Sequence, residues 1–438
     1  MSFWKQGNSI ASFTVDGRSI EGVAEVRQHV FDHFQNHFRK VQFSQPDISG
    51  LSFSTVSELD SEELIKPFLL EEIKSAIWDC DSFKSPGPDG VNLGFFKDFW
   101  EVLKIDLLNF FSEFHRQGIL SKGLNSTFIA LIPKVESPQR VVDFRPIALV
   151  SSVYKILSKV LANRLRNVIG NIVSKSKSAF IKGRQILDGV LIANEVVDDA
   201  KCNNKDLLLF KVDFEKAYES VDWDYLSDVM IKMNFPSVWR GWIMECVTSA
   251  SASVLVNGCP TEEFHFERGL CQGDPLSPFL FLLAAEGLHV LMEAMVSNSV
   301  FTPYGIGLQN SVFISHLQFA DDTLLIGEKS WVNVRALKAV LLLFENILGL
   351  RVNFHKSLLC GININRSWLL EAASVMCCKY GQLPFLYLGL PIGGDPRKLN
   401  WYPLVVRIRN RLSGWKCKNL SIGGRLILLK SVLSLQET

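Results

Sequence analysis

The sequence predicts an α+β fold, in which helices pack against a small and mostly antiparallel sheet. Apolar residues recur at helical spacing in long stretches such as 152–168, which indicates amphipathic helices. Shorter apolar runs such as 207–213 and 312–327 end at turn or polar residues, which indicates strands and hairpins. The chain has 438 residues, enough for roughly two to three domains with a buried core.

The N-terminal part begins with a predicted hairpin and a helix. Residues 10–20 form the hairpin, with its turn at Asp16-Gly17. The following helix has apolar residues close to helical spacing at Val23, Val26, Val30, Phe34 and Phe38. Farther along, the segment KSPGPDG at 84–90 interrupts a second helical region, so it predicts a turn-rich loop.

The middle of the chain contains a basic helix and strands that end near carboxylates. Apolar positions between Ser152 and Val168 alternate with basic residues, which predicts a basic amphipathic helix; the basic residues are Lys155, Lys159, Arg164 and Arg166. Leu207 to Asp213 predicts a buried strand followed by a helix, and Asn257-Gly258 predicts a turn between two short strands. Residues 312–327 predict a hairpin whose tip holds Asp321 and Asp322.

The most apolar stretch of the sequence is Pro278 to Val296. Glu286, His289 and Glu293 interrupt it, so we expect a buried helix and no membrane span. The N-terminus lacks the basic and apolar pattern of a secretory signal. Nine cysteines without a CxxC pair argue against disulfides and zinc, and favour an intracellular setting.

Charge is distributed unevenly along a chain whose net charge is only +1. Residues 56–81 carry eight acidic side chains and two lysines, whereas residues 396–430 carry nine Lys or Arg and no acid. The basic stretch suits a track along a phosphate backbone. Two solvated helix faces explain the same pattern equally well, so charge alone decides nothing.

Three carboxylates are the candidate catalytic residues. Asp213 ends one apolar strand, and Asp321 and Asp322 lie beside others. Buried carboxylates that lie together repel each other, and a pair of magnesium ions would relieve both burial and repulsion. Neighbours on a strand point to opposite faces, so we expect Asp321 to bridge the ions and Asp322 to support it. An Asp-Asp pair is also common in a plain surface turn.

The order of the sequence motifs resembles the reverse transcriptases of non-LTR (LINE-type) retrotransposons, with plant-type elements as the most similar group. The segment RGLCQGDPLSP at 268–278 resembles motif B of that family. KVDFEKAYESVDW at 211–223 resembles motif A, and SHLQFADDTLL at 315–325 resembles motif C. Further similar blocks, all in the family's order, are ALIPK at 130–134, SAFIKGRQILD at 178–188, LGLRVNFHKS at 348–357 and LPFLYLGLPIG at 383–393.

The resemblance implies a right-hand polymerase fold. Residues 1–57 would be an N-terminal extension and 58–125 a lead-in to the fingers. Residues 126–394 would form the fingers and palm, and 395–438 would start a helical thumb that breaks off early. We expect the chain to lack the endonuclease and RNase H regions of such elements, as a fragment or relic would.

The resemblance also implies the cofactor and the catalytic residues. Asp213, Asp321 and Asp322 match ligands of two Mg²⁺ ions, for which Mn²⁺ can substitute. The backbone carbonyl of Phe214 would complete the metal shell. Lys356 matches a lysine proposed to protonate the leaving pyrophosphate, although a salt bridge is an equal alternative.

The residues that match nucleotide-binding positions are Lys134, Arg145, Tyr218, Gln272 and Gly273. Lys134 and Arg145 would clamp the triphosphate, or would simply be solvated charges. Tyr218 would exclude a ribose 2′-hydroxyl by steric clash, with a plain core tyrosine as the alternative. Gln272 and Gly273 would lie against the nascent base pair. The basic residues expected to bind nucleic acid are Arg407, Arg411 and Lys416.

Three positions depart from the family pattern. Glu219 stands where aspartate is usual, Cys271 where arginine is common, and Lys177 where glutamine is typical. None of them is an expected metal ligand, so we expect effects on rate or fidelity and an unchanged mechanism.

The resemblance therefore predicts an RNA-directed DNA polymerase that takes an RNA template, a DNA primer and deoxynucleoside triphosphates. The alternative is a catalytically silent, nucleic-acid-binding remnant that keeps the fold. An intron maturase is disfavoured because no maturase-specific segment follows the palm. The family resemblance suggests a nuclear location, and we expect no membrane partner.

Overall fold

A computed structural model describes residues 10–15, 17–40, 48, 50–307 and 312–394, and it confirms the predicted α+β fold. The helices of this part of the chain are α1 (Val23–Phe38), α2 (Glu58–Ile65), α3 (Leu70–Trp78), α4 (Leu93–Asp98), α5 (Trp100–Gln117), α6 (Ser152–Ile172), α7 (Ile186–Cys202), α8 (Trp223–Lys232), α9 (Ser237–Thr248), α10 (Ser277–Ser297), α11 (Trp331–Leu348) and α12 (Arg366–Met376).

The strands are short, as the sequence predicts. They are β1 (Ser12–Val15), β2 (Arg18–Glu21), β3 (Ser126–Pro133), β4 (Phe144–Val150), β5 (Leu207–Val212), β6 (Ser251–Val256), β7 (Cys259–Pro260), β8 (Phe264–His265), β9 (Tyr304–Ile306), β10 (Val312–Ile314), β11 (His316–Phe319), β12 (Asp322–Gly327), β13 (Leu358–Ile362), β14 (Lys379–Tyr380), β15 (Phe385–Tyr387) and β16 (Leu390–Ile392).

The chain forms two compact units that interleave in sequence. The first contains the described residues of 1–173, 216–285 and 346–350, and the second those of 174–215, 286–345 and 351–438. The sheet of the first unit has the order β4-β3-β6-β7, with β8 also paired to β6. β3 and β6 run parallel, and the other pairs are antiparallel.

The N-terminal hairpin and helix pack closely on the first unit's sheet. Phe13 of β1 meets Phe144 of β4 edge to face at 6.0 Å, and Phe38 of α1 lies 4.3 Å from Phe266 between ring centroids. Val26, Val30, Phe34 and Phe38 are buried, as predicted. Val23 differs, because it is the first residue of α1 and 72% exposed. The hairpin is confirmed, with Asp16 outside the described residues.

The predicted loop at 84–90 caps the helix α6. The Asp89 carboxylate accepts a hydrogen bond from the Ser152 backbone N–H at 2.5 Å, which places negative charge at the positive end of the helix dipole. A Cβ on Gly87 would lie 2.5 Å from the Val150 carbonyl oxygen, so only glycine fits there. The loop therefore has a structural task at the junction of β4 and α6.

The basic face predicted for α6 is only partly present. Arg164 is 5% exposed, and its guanidinium binds both carboxylate oxygens of Glu72 at 2.7 and 2.8 Å. It also donates to the carbonyls of Leu64 and Lys66. Arg164 thus ties α6 to the helices before it, because a buried guanidinium needs this many acceptors.

The second unit is built around the sheet β11-β12-β5-β13-β14. β5 is its central strand and pairs antiparallel with β12 and β13. Five of its six side chains, Leu207 to Phe210 and Val212, are at most 1% exposed, so the buried strand predicted here is confirmed. The helix predicted directly after it differs, because α8 begins only at Trp223. Helix α7 covers this sheet with Ala193, Val196, Val197 and Ala200.

The apolar helix predicted after Pro278 is α10. By length and composition it could cross a membrane, the one such helix in the described part of the chain. However, 72% of its most apolar stretch is buried inside the protein, which is usual for a core helix.

Candidate active site

Asp213 directly follows the central strand β5 of the second unit. Its backbone N–H donates to the Ser357 hydroxyl at 3.0 Å, and its carbonyl accepts from the Asn353 N–H at 2.8 Å. The next residue, Phe214, forms an isolated bridge with Val352. These bonds fix the backbone at Asp213, so the segment that leads into β13 holds the residue in place.

Asp321 and Asp322 lie at the tip of the hairpin formed by β11 and β12. Phe319 pairs with Asp322, which leaves Ala320 and Asp321 as a two-residue turn. Ala320 has φ +52°, a conformation that two-residue hairpin turns require and that a non-glycine residue adopts only at some cost. The predicted hairpin tip is confirmed.

The strand register brings Asp322 to Asp213. Thr323 of β12 pairs with Val212 of β5, so one further step of the same antiparallel register sets Asp322 across from Asp213. Asp321 is exposed in the turn, and Asp322 is half-buried. Two elements about 110 residues apart in sequence thus carry their carboxylates to one edge of one sheet.

The electrostatics of this edge resist ionisation. Burial raises the pKa of Asp213, and the nearby Lys356 and Lys211 oppose that rise. Burial also raises the pKa of Asp322, followed by repulsion from Asp321 and, more weakly, from Asp213. A cation at this edge would offset both causes.

Oxygen donors of this kind suit a hard divalent cation. In the described part of the chain, however, no three His, Cys, Asp or Glu side chains surround a common point closely enough to hold a metal. The carboxylates are therefore chemically suited to an ion, and their roles as ligands stay a prediction. The same holds for the carbonyl of Phe214.

Lys356 and Lys211 bring positive charge to the carboxylates. Lys356 is exposed, and its positive charge has the largest of the effects that lower the pKa of Asp213. Lys211 precedes Asp213 by two residues on β5, so both side chains leave the same face of the strand. Its Nζ donates to the Leu386 carbonyl at 3.0 Å. Lys211 is absent from the residues predicted from the sequence, although its i, i+2 spacing from Asp213 on a predicted strand could have identified it.

The predicted nucleotide-binding residues lie in the first unit. Arg145 of β4 pairs with Ile132 of β3, and Lys134 follows two residues after Ile132. Side chains two apart share a face of a strand, so Lys134 and Arg145 are diagonal neighbours on one face. Both are exposed, and Lys134 Nζ donates to the Val142 carbonyl at 3.1 Å.

Gln272 and Gly273 pack against the same strand. The Ala148 N–H donates to the Gln272 carbonyl at 2.7 Å, and Gly273 has φ +116°. A Cβ on Gly273 would lie 2.7 Å from the Ala148 carbonyl oxygen. The protein's own backbone therefore requires the glycine, a reason that differs from the predicted contact with the nascent base pair. The Gln272 Oε1 atom is buried and has no hydrogen-bond partner.

Tyr218 is half-buried beside this loop. Its ring stacks on Phe281 of α10, with centroids 4.7 Å apart and an interplanar angle of 19°. Its carbonyl accepts a hydrogen bond from the Leu270 N–H at 2.8 Å. One ring face is therefore fixed by packing, which suits a rigid steric barrier as well as a core residue.

The family model for reverse transcriptase (RNA-dependent DNA polymerase) matches residues 132–392. The chain belongs to the reverse transcriptase family. The match includes both strands that carry the carboxylates and the loop at Gln272, so the sequence-based assignment is confirmed. Reverse transcriptases use divalent metal ions, in agreement with the donor set of Asp213, Asp321 and Asp322.

Two relatives of this reverse transcriptase come from mobile elements. It is 27% identical to the transposon TX1 uncharacterized 149 kDa protein of Xenopus laevis, over 97% of this chain and 32% of that protein. It is also 27% identical to the Pol polyprotein of the type-2 retrotransposable element R2DM of Drosophila melanogaster, over 67% of this chain and 27% of that protein. The predicted resemblance to non-LTR retrotransposons is confirmed, and the chain spans less than a third of these relatives.

Among solved structures, a telomerase from Candida tropicalis matches with a TM-score of 0.43 and 13% identity. The match covers 79% of this chain and 57% of the telomerase chain. Arg407, Arg411 and Lys416, which the sequence predicts to bind nucleic acid, lie outside the described residues, as does the predicted thumb at 395–438.

Proposed function

We propose that this chain is the polymerase region of a retrotransposon reverse transcriptase, which extends a DNA primer on an RNA template. The observation that carries the proposal is the register of β5 and β12, because it sets Asp213 and Asp322 opposite each other with Asp321 in the adjoining turn. Family membership supports the same reaction.

The metal ions would be two Mg²⁺, held by Asp213, Asp321 and Asp322 with the Phe214 carbonyl. When bound, such ions lower the pKa of the primer 3′-hydroxyl and neutralise charge on the triphosphate and the leaving pyrophosphate. The residues themselves contribute geometry, because β5 and the adjoining turn carry the three carboxylates at one edge of the sheet. Lys356 is close enough to affect Asp213 electrostatically, and it would donate a proton to the pyrophosphate.

Deoxynucleoside triphosphates would bind the first unit's exposed face. Arg145 and Lys134 supply two cations on one face of β3 and β4 for the triphosphate oxygens. Tyr218, held against Phe281, would exclude a 2′-hydroxyl, and Gln272 would contact the nascent pair. The nucleus would be the site of action, in line with the element type.

The test is primer extension on poly(rA)/oligo(dT) with purified chain, with and without Mg²⁺. We expect Mg²⁺-dependent extension by the wild type and none by Asp321→Asn, since an amide lacks the charge that a metal ligand must supply. An exposed aspartate on α5 gives the matched control Asp106→Asn, which should extend normally. Extension by Asp321→Asn at the wild-type rate would contradict the metal assignment. Binding of primer–template without any extension would favour the silent remnant.

A further inference from the structure

The second unit buries a lysine beneath the hairpin that carries Asp321 and Asp322. Lys177 is 0% exposed, and its two polar neighbours Gln318 and Glu286 are 2% and 3% exposed. Gln318 pairs with Thr323, the neighbour of Asp322, so its side chain leaves the sheet on the face opposite the carboxylates. The sequence marks Lys177 as a departure from the family's glutamine, without a reason for it.

Lys177 contacts both of the other side chains directly. Lys177 Nζ donates to Gln318 Oε1 at 2.5 Å and lies 3.6 Å from Glu286 Oε2. The other carboxylate oxygen, Glu286 Oε1, accepts from the Ser174 N–H at 2.9 Å. The lysine therefore joins α10, through Glu286, to β11, through Gln318. We name these three residues the β11 clamp.

Backbone bonds hold the same strand along its outer side. β11 is the edge strand of its sheet, with β12 as its partner within the sheet. The Gln318 N–H donates to the Ser176 carbonyl at 2.9 Å, and the Ser178 N–H donates to the Gln318 carbonyl at 3.1 Å. The segment that carries Lys177 thus covers the open edge, and the lysine side chain binds the same residue of β11.

Stability alone is a poor reason for this arrangement. Burial lowers the pKa of Lys177 to about 8, and it raises the pKa of Glu286. Buried ion pairs are often no more stabilising than apolar residues of the same volume, whereas they do fix one arrangement of their elements. Here the arrangement fixed is that of a four-residue strand whose end is the Ala320–Asp321 turn.

We propose that the β11 clamp sets the position of the Asp321–Asp322 turn, and that Lys177 is a positioning residue for the metal site. Gln318 lies three residues before Asp321 on an extended strand that leads directly into the turn. Movement of Gln318 would therefore shift the carboxylates. The role of this turn in metal binding rests on the proposed function. The clamp itself is testable without catalysis.

The first measurement compares wild type with Lys177→Met, which keeps an unbranched side chain of similar size but removes the charge and the hydrogen-bond donors. Mn²⁺ affinity is followed by electron paramagnetic resonance, and amide hydrogen exchange is followed at residues 316–319. We expect Mn²⁺ affinity to fall by about 10–100-fold, the usual effect of losing a residue behind a metal ligand. Exchange in β11 should become faster. In primer extension, kcat should fall while KM for the nucleotide stays unchanged.

Two further variants separate positioning from a general loss of stability. Lys177→Gln with Glu286→Gln removes both charges but keeps hydrogen-bonding groups, so it should restore most of the Mn²⁺ affinity. Lys205→Met breaks an ion pair of the same unit, Lys205 with Asp199 at 3.3 Å, which does not include β11. It should leave Mn²⁺ affinity and β11 exchange unchanged.

Unchanged Mn²⁺ affinity and β11 exchange in Lys177→Met would overturn the clamp, as would an equal loss in Lys205→Met. A separate result would contradict the proposed function, namely that the wild type does not extend a primer. In that case, weakened Mn²⁺ binding and faster exchange in Lys177→Met would still support the clamp, since neither readout requires turnover.

Discussion

Tyr218 is held by stacking on one face, and this determines what its removal should do. The ring is fixed against Phe281, so its position against a sugar would be rigid. Tyr218→Ala should relax the preference for deoxynucleotides over ribonucleotides by roughly 10–200-fold, the range for one steric contact in a pocket. The measurement is the ratio of kcat/KM for the two nucleotides.

Tyr218→Phe is the control, because it keeps the ring and therefore the barrier. Its discrimination should equal that of the wild type. If Tyr218→Ala keeps full discrimination, the residue belongs to the core and has no role as a steric barrier.

Asp322 should lower the stability of the metal-free chain. Its pKa is raised above the ordinary value of 3.8, so the ionised form opposes folding. The stability contributed by this group falls as pH rises from 3.8 through the raised pKa of Asp322, and the full penalty is present above that pKa. Asp322→Asn should therefore raise Tm at pH 7, and added Mg²⁺ should raise the Tm of the wild type but not that of the variant.

Thermal melting with and without Mg²⁺ checks this, repeated at decreasing pH. In the absence of metal, the difference in Tm between Asp322→Asn and the wild type should become smaller as pH falls from the raised pKa of Asp322 towards 3.8. Asp106→Asn, exposed on α5, should show no such difference. A lower Tm for Asp322→Asn at pH 7 would contradict the assigned repulsion.

At the scale of single residues, the sequence predicts the structure where a local pattern determines it. Asp213 ends an apolar run, and such a run becomes a buried strand. The sequence does not predict the role of a residue whose partner lies far away in the chain, because such a partner leaves no local pattern. Arg164 looks like a surface charge until Glu72 is placed beside it. Lys177 has no explanation until Glu286 is placed near it.

The loop that caps α6 gives a prediction at the scale of an element. Asp89 binds the first backbone N–H of a 21-residue helix, where a carboxylate also favours the helix dipole. Asp89→Ala should cost about 0.5–2 kcal/mol in free energy of unfolding. Urea denaturation followed by circular dichroism measures it.

Asp106→Ala serves as control, since this exposed residue lies in the interior of α5. It should change stability little. Equal losses in both variants would show that the cap contributes nothing special.

Helices and strands are predicted best where a regular apolar spacing extends over many residues. α1 and α6 follow from helical spacing, and the hairpin at 10–20 follows from short strands around a turn. The hairpin predicted at 312–327 forms only over 316–327, because Val312–Ile314 pairs with β9 instead. The region after Asn257-Gly258 was harder, because β7 and β8 are two separate two-residue strands where one was expected. Such short strands have too few residues to show a period, and their pairing with β6 defines them.

At the scale of the whole molecule, binding of primer–template should depend on salt. Six to ten phosphate contacts imply an affinity loss of roughly 10³–10⁵ between 50 and 200 mM salt. Arg407 and Arg411 would share a helical face, with Arg409 nearly opposite, although these residues lie outside the described part of the chain. Charge reversal at Arg407 and Arg411 should therefore weaken binding more than reversal at Arg409 with either partner.

Salt titrations of duplex affinity for the wild type and both double variants give the comparison. Equal losses in the two variants, or binding insensitive to salt, would argue against a basic track in 396–430. The division of the molecule into two interleaved units could not be read from the sequence, because return segments as short as 346–350 leave no compositional mark.

The central position of β5 has a consequence for synthesis on the ribosome. Its two neighbours, β12 and β13, begin about 110 and 146 residues after it ends. At usual translation speeds, an apolar strand with both edges open waits roughly 5–20 s for its first partner. Such a strand readily pairs with other chains. Slower initiation, which spaces nascent chains apart, or a chaperone that shields Leu207–Phe210 should therefore raise the soluble yield more than any change to the finished fold.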